Sequence, residues 1–498
     1  MAITLRSYQE RGVSDIRAAF NEGASAPLYV APTGSGKTVL FCYIAQRARE
    51  LGAKVWIIVH RRELLLQTSR ALDQFGVRHG LVTAGVRVEH HAQIQVCSKD
   101  TLVRRLDQLA DVDLIVVDEG HHTIAGSWLT VVRSRPDARL LGVTATPLRL
   151  DGRGLGLRSG GVFDRLVLGP TVQELIDDGW LCPPVLYGPP MVAQLEGVEK
   201  GRDGDYNRKA LADVMDKSVI TGDAVAHYTR VCPGASSLAF CVSIKHAEHV
   251  AQQFCDAGYR FEVVDGTMTP ARRARLISDL GVGNINGLTS CDIVSEGTDI
   301  PIVTAAILLR PTHSLGLYLQ QVGRVLRPVF PGGIAPETAA LRRASIAASS
   351  KPRAYILDHV GSVYRHYLPE TPRQWFLDTP PKSRRRKQDD DDDVPLKQCQ
   401  HCYACHAPAP ACLACGHVYE VQSRQIATVE GDLSQVTAES LAAQIEAKRK
   451  REEIGRAKTR GDLEALARRR GFRPGWVDHI LRARGNRGGA YAKVRFDG

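Results

Sequence analysis

Nowhere among the 498 residues is there a run approaching the roughly 20 uninterrupted apolar side chains that a membrane-crossing helix needs, which excludes a helical membrane protein. The opening residues Met1-Ala2-Ile3-Thr4-Leu5-Arg6 lack the basic-then-apolar layout of a secretory signal, so a cytoplasmic location is expected. A disulfide framework is missing too. Of twelve cysteines, five crowd between Cys399 and Cys415, and the other seven are scattered through apolar segments as small core residues would be. That distribution suits a metal site in a reducing compartment. Acidic residues are in deficit. The formal charge of +11 favours a polyanionic partner such as nucleic acid.

What is present is a repeated alternation of short apolar runs with helix-like segments. The first set is Leu28–Val30, Lys54–Val59, Ile94–Val96, Leu114–Val117 and Leu140–Val143. The second is Ser237–Val242, Phe261–Val264, Ile285–Thr289, Ala305–Leu309 and Ala354–Leu357. Continuous apolar strands, each followed by a helix, form parallel sheets covered on both faces. The fold class is therefore α/β, with two parallel-sheet domains in tandem at residues 1–165 and 235–375. A Gly/Pro-punctuated connection, 166–234, carries one helical stretch near Val172–Asp178. Residues 376–397 pair a basic block, Arg384 to Lys387, with an acidic one, Asp389 to Asp393, and read as a solvated linker. The cysteine cluster occupies 398–420. A helical module at 433–490 follows, and its stretch from Thr437 to Arg487 carries a net charge of about +7.

Ala31-Pro32-Thr33-Gly34-Ser35-Gly36-Lys37-Thr38 lies between an apolar strand and the helical run Val39–Glu50, the context a phosphate-binding loop requires. Glycines let the backbone curl until its N–H groups face an anion at a helix N-terminus. Lys37 would then reach the β- and γ-phosphates of ATP and the Thr38 hydroxyl would bind Mg²⁺. Asp118 and Glu119 end the strand Leu114–Val117, where a carboxylate faces the ligand crevice of a parallel sheet. Asp118 suits Mg²⁺, and Glu119 suits orienting or deprotonating the attacking water.

With these residues placed, the chain from Arg6 to about Pro328 resembles a superfamily 2 helicase of the DExH-box type, which implies two RecA-like domains. Leu5-Arg6-Ser7-Tyr8-Gln9 resembles the adenine-reading motif, with Arg6 on the nucleotide side and Gln9 as the adenine contact. Thr33, Gly34, Ser35 and Gly36 fall in the family's phosphate loop, and Asp118–His121 in its acidic motif. His60-Arg61-Arg62-Glu63-Leu64 resembles the motif that lies along a nucleic-acid backbone, and the resemblance extends that role to Ser98 and Thr101. Thr144-Ala145-Thr146-Pro147 resembles the segment coupling hydrolysis to movement, a role the family shares with His121 and Gln320. Ser295–Pro301 resembles motif V, which makes Gly297 and Asp299 nucleotide contacts, Asp299 on the ribose or γ-phosphate side. Gln320–Arg327 resembles motif VI, which makes Arg324 and Arg327 the arginine fingers; Gln321 stands where many relatives have a third arginine. Within the superfamily, Asp118–His122, Ala125–Trp128 and Pro147–Gly152 are similar to the RadD-like DNA-repair ATPases of bacteria and phages.

Cys399-x₂-Cys402 and Cys412-x₂-Cys415 make two knuckles able to surround a structural Zn²⁺ with four thiolates. Cys402-x₂-Cys405 is a knuckle as well; the longer spacer favours Cys399. His401, His406 and His417 read as spectators. Lys448–Arg451 and Arg468–Arg470, with Phe472 and Trp476 close by, suit phosphate contact and base stacking; Trp476 also suits the core of a small helical unit. The expected function is an ATP-dependent nucleic-acid motor acting on DNA rather than RNA, in repair or recombination. Two alternatives use the same residues. One is an RNA helicase, since both polymers present the same phosphates. The other is a zinc-containing DNA-binding adaptor with a weak motor, against which the intact Lys37, Glu119 and Arg324 speak. No nuclease-like acidic cluster stands out to support a restriction subunit.

Overall fold

A computed structural model describes residues 4–124, 126–149, 154–188, 218–291, 300–378, 396–399 and 401–419, and within the C-terminal region 453–454, 457, 459–473 and 475–481. The chain divides into two compact units, Met1–Glu420 and Val421–Gly498. The larger unit holds two sheets.

The first sheet is built from β1 (Pro27–Val30), β2 (Val55–Val59), β3 (Gly80–Val82), β4 (Ile94–Ser98), β5 (Leu114–Asp118), β6 (Arg139–Thr144) and β7 (Arg165–Leu168), in the order β3-β4-β2-β5-β6-β1-β7. All its pairings are parallel. β1, β2 and β5 are buried at every position because helices cover both faces. Register places Val30 beside Thr144, Asp118 beside Val143 and Val59 beside Ser98. The segments following β1, β2, β4, β5 and β6 therefore emerge along one carboxyl edge, where open parallel sheets bind ligands.

The second sheet contains β8 (Pro184–Tyr187), β9 (Ser237–Phe240), β10 (Phe261–Val264), β11 (Gly287–Ser290), β12 (Ala305–Leu308) and β13 (Ala354–Asp358) in parallel, extended by antiparallel β14 (Lys397–Gln398) and β15 (Ala404–His406). The order is β10-β11-β9-β12-β13-β8-β15-β14.

Three features go beyond the sequence reading. The connection 166–234 contributes structure to both domains: β7 closes the edge of the first sheet against β1, and β8 sits inside the second, between β13 and β15. Chain assigned to the end of the second domain and the start of the linker returns to the first. There the Leu377 carbonyl accepts the N–H groups of Leu155 and Gly156, both at 2.8 Å, and the Asp378 carboxylate accepts that of Ser159 at 2.9 Å. Trp375 and Leu377 pack with Leu155 and Phe163 in the first-domain core. The cysteine segment, finally, is joined to the second sheet through the pairing of Ala404 with Tyr187 and of Cys405 with Leu186.

In the C-terminal unit, the helix Arg460–Arg470 starts at Thr459, whose hydroxyl accepts the Asp462 N–H, and stops at Gly471 in the left-handed region. Leu463 and Leu466 are buried against Phe472, Trp476, Val477, Ile480 and Leu481. Trp476 thus serves a small core. Arg470 makes a two-bond ion pair with Glu453, while Arg468 and Arg469 are exposed. Lys448–Arg451 lie outside the described residues.

Candidate active site

The phosphate loop leaves β1 and turns through Gly34 (φ +89°) and Gly36 (φ +77°) into the helix Lys37–Glu50. Both angles lie where a Cβ is strained, so the loop needs glycine there. The first N–H groups of that helix have no intrahelical acceptor and are available to an anion. The Ser35 hydroxyl is buried without a hydrogen-bond partner among the described residues, which fits a site built for a ligand. Lys37 Nζ donates to the carbonyls of Ala31 at 3.1 Å and Pro32 at 3.2 Å.

The adenine-motif residues buttress this loop. Tyr8 donates its hydroxyl proton to the Ser35 carbonyl at 2.8 Å, and the Gln9 amide donates to the carbonyls of Ser35 and Gly36 at 3.3 and 3.1 Å. Gln9 Oε1 accepts the Arg6 N–H at 2.9 Å, so its amide is engaged by protein at both ends. Arg6 donates to the Tyr8 hydroxyl at 2.8 Å and lies 3.8 Å over the Trp180 ring; Arg342 lies 4.1 Å from the same ring. No local spacing of residues signals that Arg–Trp–Arg arrangement.

Asp118 ends β5 and is buried; Glu119 follows in the left-handed region (φ 53°). Burial pulls the Lys37 ammonium below its ordinary pKa, and the carboxylates of Glu119 and Asp118 oppose that pull. Burial pushes the Asp118 carboxyl above its ordinary value and the Glu119 charge adds to the rise, which Lys37 partly offsets. Two adjacent carboxylates with the Thr38 hydroxyl in the first turn of the helix Lys37–Glu50 are hard oxygen donors, which fits Mg²⁺. Beyond Glu119, His121 Nδ1 stands 3.3 Å from Glu119 Oε2 and 3.0 Å from Thr144 Oγ1. Thr144 Oγ1 also accepts the Thr146 N–H at 3.2 Å, so the acidic and coupling motifs form one hydrogen-bonded group.

The second domain reaches this site through the helix Leu315–Gly323, whose Gln320 is buried. A Cβ on Gly323 would stand 2.6 Å from Thr33 Cβ, and one on Gly34 would stand 3.4 Å from Arg327 Cγ. Arg324 and Arg327 lie close enough for their charges to depress the Lys37 ammonium. On the outer part of the edge, Arg61, Ser98 and Thr101 are half-buried and Arg62 is exposed. Glu63 crosses to the second domain, pairing with Arg273 at 2.8 Å. Gly297 and Asp299 lie outside the described residues.

In the cysteine segment, the Sγ atoms of Cys399, Cys402, Cys412 and Cys415 all lie within 4.8 Å of one another, with 3.8 Å between Cys399 and Cys415 and 3.6 Å between Cys402 and Cys412. Tetrahedral zinc–thiolate bonds of about 2.3 Å imply sulfur separations of about 3.8 Å, so the donor set fits Zn²⁺. Each knuckle closes alike: Tyr403 (φ 63°) and Gly416 (φ 74°) return their N–H groups to the carbonyls of Cys399 and Cys412, both at 2.9 Å. Cys405 packs instead in the second-domain core.

Two family models match in the order the fold shows: the type III restriction enzyme res subunit over residues 2–149, and the helicase conserved C-terminal domain over residues 223–329. A Saccharomyces cerevisiae protein named as the ATP-dependent helicase IRC3 is 29% identical over 350 residues, 66% of this chain, and the chain spans 50% of that relative. The chain belongs to the superfamily 2 helicases. This helicase is also 29% identical over 425 residues to a 51.5 kDa protein of a Lactococcus phage, covering 84% of each. Among solved structures, a fragment assigned as the HsdR subunit of a type I restriction enzyme from Vibrio vulnificus YJ016 matches at 18% identity with a TM-score of 0.55, over 76% of this chain and 67% of that one. That likeness shows the shared fold of two RecA-like domains. The helicase is an ATP-hydrolysing enzyme of the nucleic-acid-motor type, and no helix among the described residues is long and apolar enough to cross a membrane.

Proposed function

We propose that this helicase is a DNA-stimulated ATPase of repair or recombination that translocates on, unwinds or remodels DNA. The observation that carries the reading is the seating of Gly323 and Arg327 on Thr33 and Gly34, which brings two arginines of one domain to the phosphate loop of the other. ATP enters this cleft against the loop's N–H groups and Lys37. Glu119 orients the attacking water, held by the His121 and Thr144 side chains. Asp118 and Thr38 would hold Mg²⁺, whose charge neutralises phosphate oxygens. Arg324 and Arg327 stabilise transition-state charge only while the cleft is closed, so hydrolysis is linked to domain movement. Motif V, with Gly297 and Asp299, contributes nucleotide contacts by family precedent. Arg61, Arg62, Ser98 and Thr101 follow a phosphate backbone along the outer edge. Cys399, Cys402, Cys412 and Cys415 hold a structural Zn²⁺. The net positive charge supports a nucleic-acid partner, and the resemblance of the motor's motifs to those of RadD-like enzymes favours DNA.

ATP turnover measured alone, with single-stranded DNA, with forked duplex and with RNA, using Lys37→Ala as the blank, tests the reading. Stimulation by DNA but not RNA is the expected result. Stimulation by RNA alone would replace it with an RNA helicase. No turnover under any condition, with zinc bound, would leave a DNA-binding adaptor.

A further inference from the structure

Strands β2 and β5 are neighbours with Ile58 opposite Val117, so His60 and the segment Glu119–His122 leave the sheet side by side. Their imidazoles lie against one another in a tilted column, with 56° between the planes of His60 and His122 and 42° between those of His122 and His121. The His60 ring centroid lies 5.1 Å from that of His122, which lies 4.2 Å from that of His121. Trp128, buried at 4% exposure, backs the middle ring nearly parallel to it at 6.3 Å. Each end of the column meets a working part of the motor. Arg61 Nε donates to His60 Nε2 at 3.3 Å, while His121 Nδ1 stands 3.3 Å from Glu119 Oε2. Glu119 occupies a backbone conformation uncommon for a residue with a side chain, and its carboxylate is met by the His121 ring at 3.3 Å and the Thr144 hydroxyl at 3.5 Å.

We propose that His60 and His122 are positioning residues: the ring column transmits a shift of Arg61, when it takes a backbone phosphate, to the carboxylate of Glu119. Close-packed rings against a rigid wall pass on a sub-ångström displacement rather than absorb it. The inference rests on the proposed nucleic-acid-stimulated hydrolysis and supplies its route. The three rings follow two different strands, so the column exists only in the folded sheet.

The test uses the full chain and reads the ratio of ATP turnover with saturating single-stranded DNA to turnover without it. It is accompanied by the affinity of a labelled strand and the unfolding temperature. His122→Ala removes the middle ring, and the ratio is expected to fall about tenfold while strand affinity stays within about threefold. His122→Phe, which keeps a flat ring, is expected to restore most of the ratio. His60→Ala breaks the column independently and gives the same loss if His122→Ala does not fold. A wild-type ratio in folded alanine variants, a phenylalanine variant as defective as alanine, or a loss of affinity in step with the ratio would each overturn the column. Wild-type protein whose turnover no strand stimulates fails earlier, overturning the proposed function and this inference together. A stimulated wild type with a defective-free variant set overturns the inference alone.

Discussion

Gly323 is the last residue of the helix Leu315–Gly323, and the missing side chain is what lets Thr33 of the phosphate loop approach. Within a helix alanine is preferred to glycine by about 1 kcal/mol, so Gly323→Ala is expected to leave the unfolding temperature unchanged or raise it. The same methyl group would collide with Thr33 and hold the arginines away from the loop. A misplacement of that kind lowers turnover by roughly ten- to a hundred-fold. Calorimetry together with steady-state kinetics checks this, and a stable variant with full turnover would show that the contact is dispensable. Residues of this sort divide by how they are read. Gly34, Gly36, Lys37 and Asp118 were legible because a phosphate loop constrains residue type at fixed spacing. The seating of Trp180 between Arg6 and Arg342 and the meeting of His60 with His122 were not, since these partners come from distant segments and no local spacing encodes them.

At the scale of elements, ten strands announced themselves as apolar runs, most of them because they are buried on both faces, while the edge strand β10 exposes Glu262. β3, β7 and β8 escaped: β3 and β7 are edge strands of three and four residues with exposed or half-buried positions, and β8 begins with proline. β14 and β15 escaped for a different reason, being short strands ordered beside the knuckles they flank. Their pairing gives a test of which cysteines bind metal. Cys412→Ser is expected to abolish the single zinc measured per chain by elemental analysis and to lower the unfolding temperature. Buried Cys399, Ala404 and Cys412 share a core with Val185 of the second sheet. Cys405→Ser is expected to keep its zinc, because Cys405 packs with Leu186 and Val363 instead. Zinc lost from the Cys405 variant and kept by the Cys412 variant would reassign the ligands.

The motor as a whole is closed by contacts of unequal strength. The packing of Gly323 on half-buried Thr33 and the return of half-buried Leu377 to the first domain are uncharged contacts and insensitive to salt. The Glu63–Arg273 pair, with side chains 38% and 18% exposed, is the electrostatic part of the closure. A pair so placed is worth about 1 kcal/mol or less, which corresponds to at most a roughly fivefold change in the ratio of closed to open forms. Dyes on the two domains, read by single-molecule energy transfer without nucleotide, should show the open fraction rising by a few-fold in Arg273→Glu. The swap Glu63→Arg/Arg273→Glu should return it toward the starting value. High salt should raise the open fraction of the wild type by screening the attraction and lower that of the single variant by screening the repulsion between its two carboxylates, so that the two converge. Equal distributions in all three proteins would place closure wholly on the packed contacts.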